Sequence, residues 1–251
     1  MIKVSILGAG NVATHLFRAF TESPEIEVQQ VYNHRRESLE QFTNAATITD
    51  LKDLKPADVI LISLKDDLVS TYVEKLQDRN ELILHTSGSV PLQKTAKNNG
   101  VFYPLQTFSK QEEVNFKEVP LCLEADSEKN YQLLEQLAKL VSDKIYPISS
   151  TQRKSLHLSA VFVCNFVNHL YQIGEDLCEQ NQVPFEILHA LMTETTKKAT
   201  HNSPKRVQTG PAIRNDQKTI SSHLAQLDDA NFKEIYKLLT QSIQRTHGKK
   251  L

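Results

Sequence analysis

Over the first 150 positions, apolar residues fall in short, nearly unbroken runs. Between the runs lie stretches where they recur every third or fourth place. The runs occupy 2–7, 27–32, 59–64, 82–86, 100–103, 121–124 and 144–148. They are rich in Val, Ile and aromatic residues, so the pattern predicts strands. Helical spacing marks 12–20, 37–42, 68–76 and 129–141. Strands alternating with helices predict βαβ units and an α/β fold of Rossmann type, with a mainly parallel sheet. The run around Ile60 is apolar at nearly every position, which requires helices on both faces of the sheet.

After about residue 150 the strand pattern stops. Helical segments are predicted at 151–179, 185–198, 219–227 and 231–244, with a polar Pro- and Gly-containing loop at 201–216. The organisation expected is two domains, 1–150 and an all-helical 151–251.

The first apolar run passes directly into Gly8-Ala9-Gly10-Asn11-Val12-Ala13 and then into helical spacing. This is G-x-G-x-x-A in a strand–turn–helix context. Gly8 makes the tight turn, Gly10 lets a pyrophosphate approach the backbone, and the amides of Asn11 and Val12 open the helix. A tight turn in some other α/β protein remains the alternative. An NAD site places an acid at the end of the second strand, to hold the ribose hydroxyls. Here that place reads Asn33-His34-Arg35-Arg36, with no acid before Glu37. Two guanidinium groups suit a 2′-phosphate, so NADP(H) is expected over NAD(H). The other reading of the arginines is a solvated basic turn. Ser63-Leu64-Lys65-Asp66 and His85-Thr86-Ser87-Gly88-Ser89 close two further strands and are expected to line the same cleft, with Ser87-Gly88 near the nicotinamide, since ligands of open α/β sheets sit at the carboxyl ends of strands. His85 reads as a hydrogen-bonded structural residue at a strand end, ahead of a catalytic one.

The helix beginning near 151 carries a polar stripe. With His157 at zero and about 100° per residue, Arg153, Cys164 and Asn168 fall within about 40° of it and Asn165 near 80°. Leu158, Phe162, Val163, Phe166 and Leu170 fill the remaining arc. Such a helix is expected to be largely buried. Its polar groups are then either satisfied by neighbouring loops or line a wet cleft. In the second case His157 serves as acid or base, because an imidazole titrates near neutrality. Asn165 and Asn168 then orient a substrate carbonyl or amide. Arg214, in the loop proposed to close over them, suits an anionic group; pairing with Asp216 is the equal alternative.

Charge narrows the classes. The chain of 251 residues has 29 Lys+Arg against 30 Asp+Glu, a net charge of −1, which argues against a nucleic-acid partner. Three cysteines in no paired spacing give no disulfide framework and no metal site. No apolar stretch reaches the roughly 20 residues of a membrane span, and the first apolar run is too short for a signal peptide. A cytoplasmic protein without a membrane partner is expected. Glycine is scarce, 7 in 251, so each one retained is expected to have a backbone reason.

These motifs, with Tyr103-Pro104-Leu105-Gln106-Thr107-Phe108, Leu156-His157-Leu158-Ser159-Ala160-Val161 and Thr209-Gly210-Pro211, occur in a fixed order across essentially the whole chain. In that order the chain resembles the Rossmann-like family with a C-terminal helical domain of unknown function (domain 2520). Members are labelled NADP oxidoreductases and are related to pyrroline-5-carboxylate reductase and, more distantly, to 6-phosphogluconate dehydrogenase-like proteins. The resemblance implies hydride transfer to or from a small C=O or C=N substrate at an interdomain cleft. It also implies a homodimer built through the helical domain, for which the apolar 162–170 face is a second reason. Many relatives have His where this chain has Tyr103, and a phenol is not a base near neutrality. Tyr103 and Gln106 are therefore expected to position the substrate while His157 transfers the proton. A non-catalytic NADP-binding sensor or interaction module is the competing reading, and a dimeric scaffold with a vestigial site a third.

Overall fold

The computed structural model describes residues 1–247; Gly248 and the expected end of the second domain at 251 lie outside the described residues. The chain forms two compact units, Met1–Asn165 and the residues from Phe166 onward. Within the first unit the strands are β1 (Ile2–Leu7), β2 (Ile26–Tyr32), β3 (Ala46–Ile48), β4 (Val59–Ile62), β5 (Leu82–His85), β6 (Asn99–Pro104), β7 (Leu121–Ala125) and β8 (Ile145–Pro147). Their order across one sheet is β3-β2-β1-β4-β5-β6-β7-β8. Neighbours run parallel except β6 and β7. The order reverses between β1 and β4, which sets the switch point beside which α/β sheets bind ligands.

Helices α1 (Asn11–Thr21), α2 (Asp66–Lys75) and α3 (Glu128–Lys139) cover the sheet. In β4, Val59 and Leu61 join the core that includes Leu16, Phe20, Leu134 and Leu137, while Ile60 and Ile62 join Val69, Val73 and Leu76 on the other face. A strand buried on both sides has no use for a polar alternate, hence its unbroken apolar run.

The apolar runs account for every strand except β3, whose Ala46 and Thr47 are exposed at the sheet edge and carry no burial pattern. The helix expected at 37–42 is a single 3₁₀ turn, Arg36–Leu39.

The first unit runs past the textural change at residue 150 because α4 (Ser150–Ala160) is anchored to it. Ser149 and Gln152 form a reciprocal capping box that starts the helix. One turn on, Arg153 is 1% exposed, with Nη1 2.6 Å from Glu124 Oε2 on β7 and Nη2 donating to the carbonyl of Val90 at 2.7 Å. Burial alone pushes Glu124 up, but hydrogen bonds from Ser150 and Arg153 outweigh it and hold the carboxyl below its ordinary range.

Two expectations for the 151–179 helix need correction. A π turn, Val161–Asn165, follows α4. A π turn spends one residue more than an α turn, so the regular α spacing on which the stripe was drawn does not hold through Asn165. Nor is the helix largely buried: Leu158 is 60% exposed and Val163 74%. Arg153, the one fully buried member of the stripe, is satisfied by a neighbouring strand and loop.

The second unit contains α5 (Phe166–Gln180), α6 (His189–His201), α7 (Pro204–Val207), α8 (Gln217–Gln226) and α9 (Ala230–His247). Among its described residues only Ala212, Ile220 and Leu227 are buried apolar groups. No helix among the described residues is long and apolar enough to cross a membrane.

Candidate functional site

The turn after β1 is shaped for a ligand. Gly8 has φ +129°, and a Cβ placed on it would lie 2.1 Å from the carbonyl oxygen of Ser63. Glycine is required there by both backbone angle and space. A Cβ on Gly10 would meet nothing within 4 Å, so that side of the backbone opens into free volume. Gly10 is the N-cap of α1; it offers no side-chain cap, and the first turn carries no acid. The amides and the positive end of the helix dipole are thus left for an outside anion.

This opening leads into a cavity of about 890 Å³ along the carboxyl ends of β1, β2, β4 and β5. Its lining brings together Gly10, Asn11, Val12, Asn33, His34, Arg35, Ser63, Leu64, Lys65, Ser87 and Gly88, with Tyr103, Gln106 and His157 at one end. Gly8 lies behind the wall. Arg35 is extended (φ −104°, ψ 117°) and lines the cavity, whereas Arg36 begins the 3₁₀ turn and does not. The two guanidinium groups are therefore not equivalent: the chain turns away after Arg35. Groups that fit a dinucleotide are all present: an uncapped helix terminus, an open glycine face and a cation in place of the acid at the end of β2.

His85 is buried and holds the turn that follows β5. Its Nε2 lies 3.2 Å from the carbonyl oxygen of Pro91, and its Nδ1 accepts from the amide of Ser87 at 3.3 Å. Burial pushes its pKa down to about 4, with the Arg153 guanidinium adding to the effect, so the ring is neutral at ordinary pH. The Ser87 hydroxyl accepts from the amides of Ser89 and Val90 at 3.2 and 3.0 Å. Both residues shape the loop that presents Gly88.

Gly88 abuts a Tyr–His pair. The Tyr103 hydroxyl lies 3.0 Å from His157 Nδ1. A Cβ on Gly88 would stand 2.7 Å from that nitrogen and 2.9 Å from the phenol oxygen. Burial drives the Tyr103 pKa up to about 12, so the phenol keeps its proton. The pair also borders a second cavity of about 530 Å³, which shares Tyr103, Gln106, Phe108 and His157 with the first. Asn165 lines this second cavity. Gln106 Oε1 accepts from the amide of Thr107 at 2.8 Å; among the described residues its Nε2 makes no hydrogen bond.

Asn168 and Arg214 belong to the second unit, and both are exposed. Asp216 caps α8 through the amide of Thr219 at 3.1 Å, and no ion pair joins it to Arg214 among the described residues. Asp66 and Thr86 line the cavity as expected, whereas Ser38, Leu68 and Phe108 were missed by sequence reasoning. Phe108 arrives because its loop is tied to α1, where Asn11 Nδ2 donates to the Phe108 carbonyl at 2.7 Å and His15 Nε2 lies 2.9 Å from that of Ser109.

The fold and this opening define a Rossmann-like dinucleotide-binding protein. Residues 119–243 match the family described as a domain of unknown function, DUF2520. A Bacteroides fragilis protein provisionally named an NADP oxidoreductase is 39% identical, with 97% of this chain and 98% of that one aligned and a TM-score of 0.89. The chain belongs to the family of that protein. An imine reductase of Myxococcus stipitatus in complex with NADP+ shares the fold at 14% identity, covering 98% and 96% of the two chains, TM-score 0.71. A pyrroline-5-carboxylate reductase of Coxiella burnetii does so at 16% identity, covering 98% and 97%, TM-score 0.59. No curated protein matches the sequence significantly.

Proposed function

We propose that the chain is an NADP(H)-dependent oxidoreductase acting on a small C=O or C=N substrate. The observation that carries this is the Tyr103–His157 pair standing in the common wall of two cavities, one built around the dinucleotide turn. NADPH, when bound, would supply the hydride and become NADP+, so one further proton must reach the substrate oxygen or nitrogen. His157 delivers it. It does so as the imidazolium, giving up the Nε2 proton while Nδ1–H donates to the Tyr103 hydroxyl oxygen; the neutral ring left behind accepts at Nδ1 from the phenol, which stays protonated. Gln106 Nε2 and Asn165 are the positioning donors facing the second cavity. The uncapped N-terminus of α1 holds the pyrophosphate, and Arg35 pairs with the 2′-phosphate.

NADPH oxidation across a panel of imines, ketones and oxo acids tests the reaction. Tight cofactor binding with no turnover anywhere in the panel would instead favour the sensor reading. The cofactor assignment has a separate check. Arg35→Ser is expected to weaken NADPH binding by roughly 10-fold or more, the worth of a charge-assisted pair, while sparing NADH; Arg36→Ser changes little. Equal affinity of the parent chain for both dinucleotides, measured by titration calorimetry, would reject it.

A homodimer through the helical unit completes the reading. Ile187, Leu191 and Leu238 are 65%, 63% and 68% exposed, more apolar exposure than a unit with three buried apolar side chains sustains alone. Sedimentation is expected to show dimer at micromolar concentration; monomer alone would contradict it.

A further inference from the structure

The second cavity, about 530 Å³, has an uneven lining. Among the described residues it contains no Lys, Arg, Asp or Glu. Leu105, Leu156, Ala160, Val161 and Val163 supply its apolar surface, and Tyr103 with His157 supplies its border with the dinucleotide cavity. The nearest buried cation, Arg153, is committed to Glu124 at 2.6 Å and the Val90 carbonyl at 2.7 Å, so it has nothing to offer a substrate anion. The Ser159 hydroxyl is likewise spent within its helix, on the carbonyl of Ser155 at 3.0 Å.

We infer that this cavity takes a small uncharged carbonyl compound with a hydrocarbon body, its oxygen toward Tyr103–His157, and discriminates against substrates bearing a carboxylate or phosphate. An anion entering here would meet an apolar wall with no Lys or Arg side chain to pair with. Hydrocarbon gains on entry, and pockets of this size and makeup are typical of small-ligand sites. The inference rests on the oxidoreductase reading for the direction in which the oxygen lies. The absence of Lys, Arg, Asp and Glu from the lining is independent of that reading.

The test uses two ketones of one skeleton: cyclohexanone, and the same ring with a carboxylate opposite the carbonyl. Binding of each is measured by saturation-transfer NMR and calorimetry, on the full chain with and without NADP+, and reduction is followed by loss of NADPH. Cyclohexanone is expected to bind about tenfold or more tightly than its carboxylate. Filling the cavity with Ala160→Phe should remove that binding, and the milder Ala160→Leu should weaken it. Neither substitution should change NADP+ affinity, which also reports that the variants fold. Equal or tighter binding of the carboxylate, binding of neither ring, or binding indifferent to both substitutions would overturn the inference. Failure of the parent reading looks different: cyclohexanone would bind in an Ala160-dependent manner and never be reduced. Preferential reduction of the carboxylate would keep that reading and discard this one.

Discussion

Glu124→Ala is expected to cost the first unit about 3–5 kcal/mol of folding stability, the usual loss when one partner of a buried ion pair is removed. The reason lies in what is left behind. Arg153 is 1% exposed, cannot shed its proton, and already has one buried nitrogen, Nε, without a partner among the described residues. Without Glu124 its guanidinium keeps the Val90 carbonyl and the Ser150 hydroxyl but has no countercharge. Arg153→Met should be milder, because the Glu124 side chain is 18% exposed and can be hydrated, and methionine fills the space with apolar atoms. Glu124→Gln should recover a large part of the loss, since the amide oxygen still accepts from Arg153 and Ser150. Denaturant unfolding of the three variants checks this order. Equal midpoints for Glu124→Ala and the parent would show that the ion pair holds nothing together.

That pair also shows where sequence reading stopped. Strands β1, β2, β4 and β5 were legible because each is buried on at least one face by helices close in sequence, and burial writes itself as an apolar run. β3 was not, because an exposed edge strand of three residues imposes no such constraint. Arg153 was legible as polar on an apolar helix. Its partners were not, because Glu124 and Val90 stand 29 and 63 residues away and no local pattern links them. The exposed apolar face of the same region misled in the opposite direction: periodicity marks a face that must be covered and does not say by what.

At the site, the dinucleotide turn was readable because its chemistry is local: two glycines, a helix start and the residues that end the next strand. Gly88 was readable only as a turn former. Its actual constraint is the pair of side chains against it, His157 Nδ1 and the Tyr103 ring, brought from two distant elements. Tyr103 itself looked like the loss of a histidine. The structure gives it a histidine partner, 3.0 Å away. The π turn at Val161–Asn165 carried no advance signal, since its residues keep ordinary helical spacing.

If Tyr103 works through His157, removing them together should cost no more than removing His157 alone. His157→Ala is expected to lower kcat by about 10²–10⁴-fold, the usual contribution of a positioned general acid, with NADPH affinity held within about twofold of the parent. Tyr103→Phe removes one hydrogen bond and leaves the ring in place, so its loss should be nearer tenfold, about the worth of that bond. In the His157→Ala background the same change should be nearly silent, because an absent imidazole cannot be oriented. A direct role for Tyr103 as proton donor predicts the reverse, with the two losses multiplying. The pH profile separates the roles again. With Tyr103 raised to about 12, no alkaline limb below about pH 10 can belong to it, so any such limb should survive Tyr103→Phe. Full turnover in His157→Ala, with NADPH still bound, would remove the histidine from the mechanism and leave the Tyr–His pair a structural strut between β6 and α4.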